Sequence, residues 1–197
     1  GGALYLRSRD GIHWEKPSLG IGPITGPDGT PNPSNLVLGR GAGGVKGGMH
    51  GLMVFLDPRA PAAERFKLVA NPHEFDNQLQ IFASADGIHW RHAHRHVITF
   101  DPGVKPNHLD SQNVIFWDER VGKYVAYFRK NVRDPGPGAG QVPRTRMVAR
   151  AEAAELGFFV KADDAPVVLR ADPGYVVQPL VPAKEGRTLL DVYTSGA

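Results

Sequence analysis

The stretch SRDGIHW at positions 8–14 returns almost unchanged as SADGIHW at positions 84–90. The spacing from Asp10 to Asp86 is 76 residues. Close self-similarity within one chain indicates a repeated supersecondary unit. The repeat therefore either duplicates an active site or duplicates a piece of scaffold, and the rest of the sequence bears on that choice.

Two hairpins are predicted, one before and one after the second copy. Residues 51–70 (GLMVFLDPRAPAAERFKLVA) and 113–130 (NVIFWDERVGKYVAYFRK) each consist of two apolar runs separated by a turn. This pattern is typical of a β-hairpin. In the second hairpin the turn is DERVG, where Gly122 can supply a positive φ angle.

Later parts of the chain repeat the pattern in a weaker form. Residues 146–169 keep a strand, an acidic turn and an aromatic residue, with Phe158 or Phe159 in the place of the tryptophan. A single helical turn over AEAAEL is an alternative there, since Ala, Glu and Leu favour helix. Residues 175–195 again predict a strand, a turn and a strand.

Glycine and proline are abundant, with 24 and 17 residues among 197. This composition favours turns and strands over helices. Both residue types are dense at 20–48 and 131–143, where we predict loops without regular structure. The chain is therefore expected to be all-β and long enough for one domain.

The residues of the repeated motif suit a turn. Aspartate can accept hydrogen bonds from main-chain amides, glycine tolerates the left-handed backbone, and tryptophan can pack between sheets. The alternative is chemical, with Asp10 and His13, or Asp86 and His89, acting as an acid and base pair. We favour the scaffold interpretation because catalytic groups are rarely duplicated intact.

Charge and composition exclude several classes of partner. The net charge is +3, but the Lys and Arg residues are scattered, so we expect no nucleic-acid partner. The absence of cysteine excludes disulfides and thiolate metal sites. No apolar run approaches the roughly 20 residues that span a bilayer, so we expect no membrane partner.

The first residue is Gly1, and the pattern predicts a strand already in progress there. The chain stops just after another predicted strand. We therefore expect a fragment of a longer protein, with no signal peptide in this chain and any targeting segment outside it. The sequence does not determine the compartment or the oligomeric state.

The two motifs resemble the S-x-D-G-x-x-W variant of the Asp-box turn of propeller glycosidases. Together with HLDSQNVIFWDERVGKYVAYFR (108–129), they make the chain similar to the five-bladed β-propeller glycoside hydrolases of the family 32, 43, 62 and 68 type, especially their uncharacterised relatives. The resemblance implies a five-bladed type of β-propeller with about three blades in this chain. It also implies a secreted or periplasmic location.

The resemblance divides a single partial propeller domain, residues 1–197, into consecutive blades. The implied parts are the end of one blade (1–20), a blade (49–100), a further blade (108–170) and the start of the next (174–197).

In that family the site lies where the innermost strand of each blade begins, and it uses carboxylates from successive blades. The resemblance therefore implies Asp110 as a catalytic residue, since it precedes such a strand and has hydrogen-bonding neighbours suited to sugar hydroxyls. The alternative for Asp110 is a cap or turn aspartate. The implied substrate-binding residues are His50, His108, Gln112, Asn113 and Glu74.

Glycoside hydrolysis normally needs two carboxyl groups across the scissile bond. The partner of Asp110 is Glu74, Asp76 or a residue outside the chain. The N-D-P-N-G and E-C motifs of the well-characterised family 32 members are absent. An R-D-P triplet at 133–135 follows a predicted strand instead of leading into one, so we interpret it as a coincidence.

Three histidines alternate in WRHAHRHVITF, at positions 92, 94 and 96, and in a strand they would share one face. Such a row could bind a divalent metal ion. Arg91 and Arg95 stand beside them with no acidic ligand near, so we favour a solvated polar face. We expect no metal and no other cofactor.

The leading hypothesis is a hydrolase of furanosides, such as fructosides or arabinosides, with a carbohydrate substrate as its partner. The second hypothesis is a non-catalytic propeller that binds a sugar or a protein. The third is a propeller that serves only as a scaffold beside another domain.

Overall fold

The computed structural model describes residues 1–25, 27–75, 78–94, 97–98, 109, 112–133, 144–159 and 161–169. Antiparallel β-sheets provide almost all of the regular structure in these ranges, which confirms the expected all-β class.

The first sheet combines strands from both sides of the first DGIHW turn. Its order is β1-β5-β4, formed by β1 (Gly2–Leu4), β4 (Gly22–Thr25) and β5 (Pro31–Gly39). The turn itself closes a separate short hairpin of β2 (Arg7–Ser8) and β3 (Trp14–Glu15).

Strands β4 and β5 lie within residues 20–48, so the prediction of a loop without regular structure is wrong there. Local composition favours turns, but β5 pairs with β1 and β4 along both edges and buries Leu36, Val37 and Leu38. Main-chain pairing with a distant strand and burial of an apolar run outweigh the local preference.

The second sheet is an antiparallel meander. Its order is β6-β7-β8-β9, formed by β6 (Met49–Leu56), β7 (Phe66–Pro72), β8 (Gln80–Ser84) and β9 (Arg91–His94). Single turns of 3-10 helix lie between β6 and β7, at Ala62–Glu64, and between β7 and β8, at His73–Phe75. The hairpin predicted over 51–70 is therefore confirmed.

The third sheet is a second meander. Its order is β10-β11-β12-β13, formed by β10 (Val114–Asp118), β11 (Lys123–Arg133), β12 (Arg144–Ala153) and β13 (Val167–Leu169). The hairpin predicted over 113–130 is confirmed, and Gly122 has a φ of 63°. Strand β12 extends to Ala153, so the alternative of a helical turn over AEAAEL is wrong. Strand β11 extends three residues into the predicted loop at 131–143.

The second sheet is covered on both faces. Successive side chains of a strand point to opposite faces, and in β7 Leu68 belongs to the same buried cluster as Leu38 of the first sheet, while Val69 belongs to that of Phe128 of the third. All four side chains are essentially inaccessible to solvent. This explains why Leu68, Val69 and Ala70 follow one another in β7 without the polar alternation of a half-exposed strand.

A polar contact also joins the second and third sheets. The hydroxyl group of Tyr124 donates to the carboxylate of Asp57, 2.9 Å from Oδ1 and 3.1 Å from Oδ2. Both residues are buried. Burial and the neighbouring carboxylate raise the pKa of the Tyr124 phenol above its ordinary value, so the hydroxyl keeps its proton and holds the contact.

The positions of the sheets can be compared with the predicted division into blades. Two four-stranded meanders occupy 49–94 and 114–169, and the segment 174–197 lies outside the described residues. The division therefore stays a prediction. Within the described ranges, no helix has the length and apolar character needed to cross a membrane.

Candidate functional site at the start of β6 and β10

The first strands of the second and third sheets are neighbours. The amide of Ile115 in β10 lies 3.3 Å from Sδ of Met53 in β6. At one end of this pair, β6 begins, β7 ends and β10 begins. We call this end the site end, because three of the predicted site residues that the structure describes, His50, Gln112 and Asn113, lie there on these strands or just before them.

Two imidazoles lie in contact at the site end. The ring centroids of His50 and His73 are 4.5 Å apart with an interplanar angle of 43°. Both residues are exposed. The amide of His73 donates to the carbonyl of Gly48 at 2.9 Å, which fixes the turn that carries the ring. The predicted residue His50 is thus joined by His73, which sequence reasoning missed.

The imidazole of His73 lies against the backbone of Gly48, in space that a larger residue at this position would occupy. A Cβ atom on Gly48 would lie 3.3 Å from Cε1 of His73. The glycine pair before Met49 was a signal in the sequence for a close approach of another group, although it did not identify which group.

Glu74 holds the loop that leads into β6. Its Oε2 atom accepts hydrogen bonds from the amides of Lys46, at 2.7 Å, and Gly47, at 3.1 Å. The residue is exposed. Glu74 therefore has a structural contact in addition to its predicted roles in substrate binding or as the partner carboxylate, which stay predictions.

Asn113 is fully buried and its side chain binds the main chain. Its Nδ2 donates to the carbonyl of Leu109 at 3.0 Å, and its Oδ1 accepts from the amide of Arg129 at 3.3 Å. A second side-chain amide, that of Asn71 at the end of β7, donates to the same carbonyl. Direct contact of Asn113 with a substrate, as the sequence predicted, does not fit this burial.

Two predicted site residues, Asp110 and His108, lie outside the described residues, as does Asp76. The described neighbours in the same segment are Leu109, which is fully buried, and Gln112, which is exposed. The catalytic role of Asp110 and the binding roles of His108 and Gln112 stay predictions.

The two DGIHW motifs form the same turn. In each, Oδ1 of the aspartate accepts from two main-chain amides at 2.8 Å, and Oδ2 binds Nδ1 of the histidine, at 2.6 Å for Asp10 and 2.7 Å for Asp86. The glycines have φ angles of 75° and 78°. Hydrogen bonding by the histidine, then by the amides, lowers the pKa of both aspartates. These hydrogen bonds use both carboxylates to hold the turn, which agrees with the scaffold interpretation.

The tryptophans of the two turns differ in their surroundings. Each indole Nε1 donates to the glycine carbonyl of its turn at 3.0 Å. Trp90 is 8% exposed and packs between the first and second sheets, as predicted, whereas Trp14 is 57% exposed. The prediction that the tryptophan packs between sheets is therefore confirmed for Trp90 and wrong for Trp14. In the third unit the buried aromatic residue is Phe159, while Phe158 is exposed.

The histidine row does not share one solvated face. The ring of His92 stacks on Phe82 of β8, at 5.0 Å between centroids, while that of His94 lies against Gly157 after β12. An extra residue in β9 opposite Ile81 and Phe82 breaks the alternation. Both rings are half-buried, and burial lowers the pKa of His94. His96 lies outside the described residues, and among those described no group of three His, Asp or Glu side chains could hold a metal ion.

The fold and the site end define an all-β protein in which antiparallel sheets are stacked and the first strands of two meanders meet. No family model matches the chain, and no curated protein or solved structure matches it either. The function therefore has to be argued from the site end itself.

Proposed function

We propose that the chain is part of a carbohydrate-active β-propeller that hydrolyses furanosides, such as fructosides or arabinosides. Support for the propeller comes from two four-stranded meanders that pack face to face with their first strands adjacent. Radial repetition of four-stranded sheets is the arrangement of propeller blades. The Asp-box-like turn also recurs, once in the β2–β3 hairpin and once between β8 and β9, as a repeated unit would require.

The observation that carries the proposal is the gathering of polar groups where β6 and β10 begin. His50 and His73 are exposed there, Gln112 is exposed just before β10, and Asp110 precedes Gln112 in the sequence. Imidazole and amide groups around a carboxylate are suited to an array of sugar hydroxyls. The same segments precede the innermost strands in the propeller interpretation.

In the proposed reaction Asp110 provides one of the two carboxyl groups that glycoside hydrolysis requires. It either acts as the base or nucleophile or stabilises the charge that develops on the sugar ring. The exposed imidazoles orient the substrate through its hydroxyls. The second carboxyl group is Glu74, Asp76 or a residue of another part of the protein.

The test is a screen of the purified chain against nitrophenyl furanosides and natural oligosaccharides, with Asp110→Asn as the diagnostic variant. Loss of a carboxyl group in acid, base or nucleophilic catalysis is expected to lower kcat by about 10²–10⁴-fold. Asp28→Asn is the matched control, because Asp28 accepts hydrogen bonds from Thr30 in an exposed turn of the first sheet. Equal activity of Asp110→Asn and the wild type would remove Asp110 from the mechanism.

A non-catalytic sugar-binding propeller is the second candidate. It is favoured by the state of Glu74, the described candidate for the partner carboxylate, because two main-chain amides already occupy its Oε2 atom. This candidate predicts saturable binding of an oligosaccharide in calorimetry without release of reducing sugar over hours of incubation. Turnover that depends on Asp110 would reject it.

A further inference from the structure

We propose that Asn71 is a positioning residue of this site. Its side-chain amide, together with that of Asn113, holds the carbonyl group of Leu109 and thereby fixes the start of β10 against the start of β6. The inference rests on the proposed function, because it concerns the geometry of the same site.

Two buried donors converge on one carbonyl. Asn71, Leu109 and Asn113 each have 0% exposure, and the Nδ2 atoms of both asparagines donate to the oxygen of Leu109. A carbonyl oxygen has two lone pairs, so two donors use its full capacity. The carbonyl group of Leu109 cannot rotate without breaking both hydrogen bonds where water is excluded.

The two asparagines connect the strands that carry the exposed polar groups. Asn71 is the cross-strand partner of His50 in the β6–β7 pair. Asn113 also accepts from the amide of Arg129 in β11. The contacts therefore run from the start of β6, through Asn71 and Leu109, to the start of β10, and they set the separation of His50 from Gln112.

The other polar atom of Asn71 argues against a purely stabilising role. Its Oδ1 is buried without a hydrogen-bond partner among the described residues. The side chain cannot flip to relieve this, because Oδ1 would then face the Leu109 oxygen and two acceptors would meet. Buried polar atoms are nearly always paired, so a position selected for stability alone would favour a residue without this atom.

Kinetics separate positioning from stability. Asn71→Ala and Asn113→Ala are compared with Asn35→Ala, which removes a similar bond from Nδ2 to the carbonyl of Tyr5 in the first sheet. The probes are a nitrophenyl arabinofuranoside and a fructo-oligosaccharide, assayed well below the melting temperature of every variant. We expect kcat/KM to fall about 10- to 100-fold in the two site variants, as for misplacement of a reacting group, and to stay at the wild-type value in Asn35→Ala.

A double-mutant cycle on unfolding free energy gives an independent readout. Because both donors bind one oxygen, the effects of Asn71→Ala and Asn113→Ala should be non-additive. Additive effects would overturn the shared contact. Kinetics of Asn71→Ala that match those of Asn35→Ala would overturn the positioning role while the proposed function stands. A wild type that neither binds nor cleaves the two probes would instead reject the proposed function, and the positioning role with it.

Discussion

At the scale of the residue, the two copies of the DGIHW turn distinguish the hydrogen bonds made within the turn from the burial that the rest of the protein provides. Asp10 and Asp86 make the same hydrogen bonds at nearly the same distances, and both tryptophans bind the glycine carbonyl of their turn. The exposure of Trp14 therefore does not come from its turn. It comes from the lack of an apolar surface against it in the described residues.

This comparison predicts unequal effects of one substitution. Trp90→Ala should lower the free energy of unfolding by about 3–5 kcal/mol, because it removes a large buried side chain and leaves a cavity. Trp14→Ala should change it by less than about 0.5 kcal/mol, as for an exposed residue. Urea denaturation followed by circular dichroism measures both, and similar losses would show that Trp14 is covered in solution.

At the scale of the element, the turn between β8 and β9 is held by an ionised carboxylate. Asp86 accepts from two amides, from the imidazole of His89 and from the hydroxyl of Ser84, so each hydrogen bond favours the charged form. The sequence pattern alone predicted the amide contacts, because the side chain of aspartate in a turn accepts hydrogen bonds from main-chain amides a few residues further on.

The same contacts predict a loss of stability in acid. Hydrogen bonding lowers the pKa of Asp86 below its ordinary value of 3.8. The stability that its charge contributes is therefore present above pH 3.8 and is lost as the pH falls towards the folded-state pKa. The melting temperature of the wild type should fall more steeply between pH 4 and pH 2 than that of Asp86→Asn. Parallel slopes in differential scanning calorimetry would contradict this role.

Elements were predictable where the pattern is local. The hairpins over 51–70 and 113–130 followed from apolar runs around a turn, and both are confirmed. Strand β5 was missed because Pro31, Pro33 and the surrounding glycines suggest a loop, and its pairing with β1 depends on residues 32–37 positions away. The hydrogen bond from Asn71 to the carbonyl of Leu109 could not be predicted either. It joins residues 38 positions apart, and no repeating pattern in the sequence indicates such a contact.

At the scale of the whole molecule, the sheets depend on one another through their shared faces and through the hydrogen bond of Tyr124 with Asp57. A buried side-chain oxygen that loses its donor is left without that hydrogen bond where water cannot replace it, which costs free energy. The contact thus matters more than its surface counterparts, such as Arg7 with Glu15, where both side chains are largely exposed.

Removing that donor predicts a measurable loss. Tyr124→Phe should lower the free energy of unfolding by about 1.5–3 kcal/mol, the range for hydrogen bonds to charged groups. Because the pKa of Tyr124 is raised, this contribution is full below pH 10.0, the ordinary tyrosine value, and is lost as the pH rises further. Guanidinium denaturation at pH 7 measures the difference, with Tyr5→Phe as the control. A change as small as that of the control would contradict the inter-sheet role.

The double covering of the second sheet has a consequence for how the molecule opens. Strands β7 and β8 contribute to the cores on both sides, so neither the first nor the third sheet can detach without exposing one of their faces to water. Partial opening is therefore costly from either direction, and the three sheets unfold as one cooperative unit, with the amides of β7 exchanging only when the whole unit does.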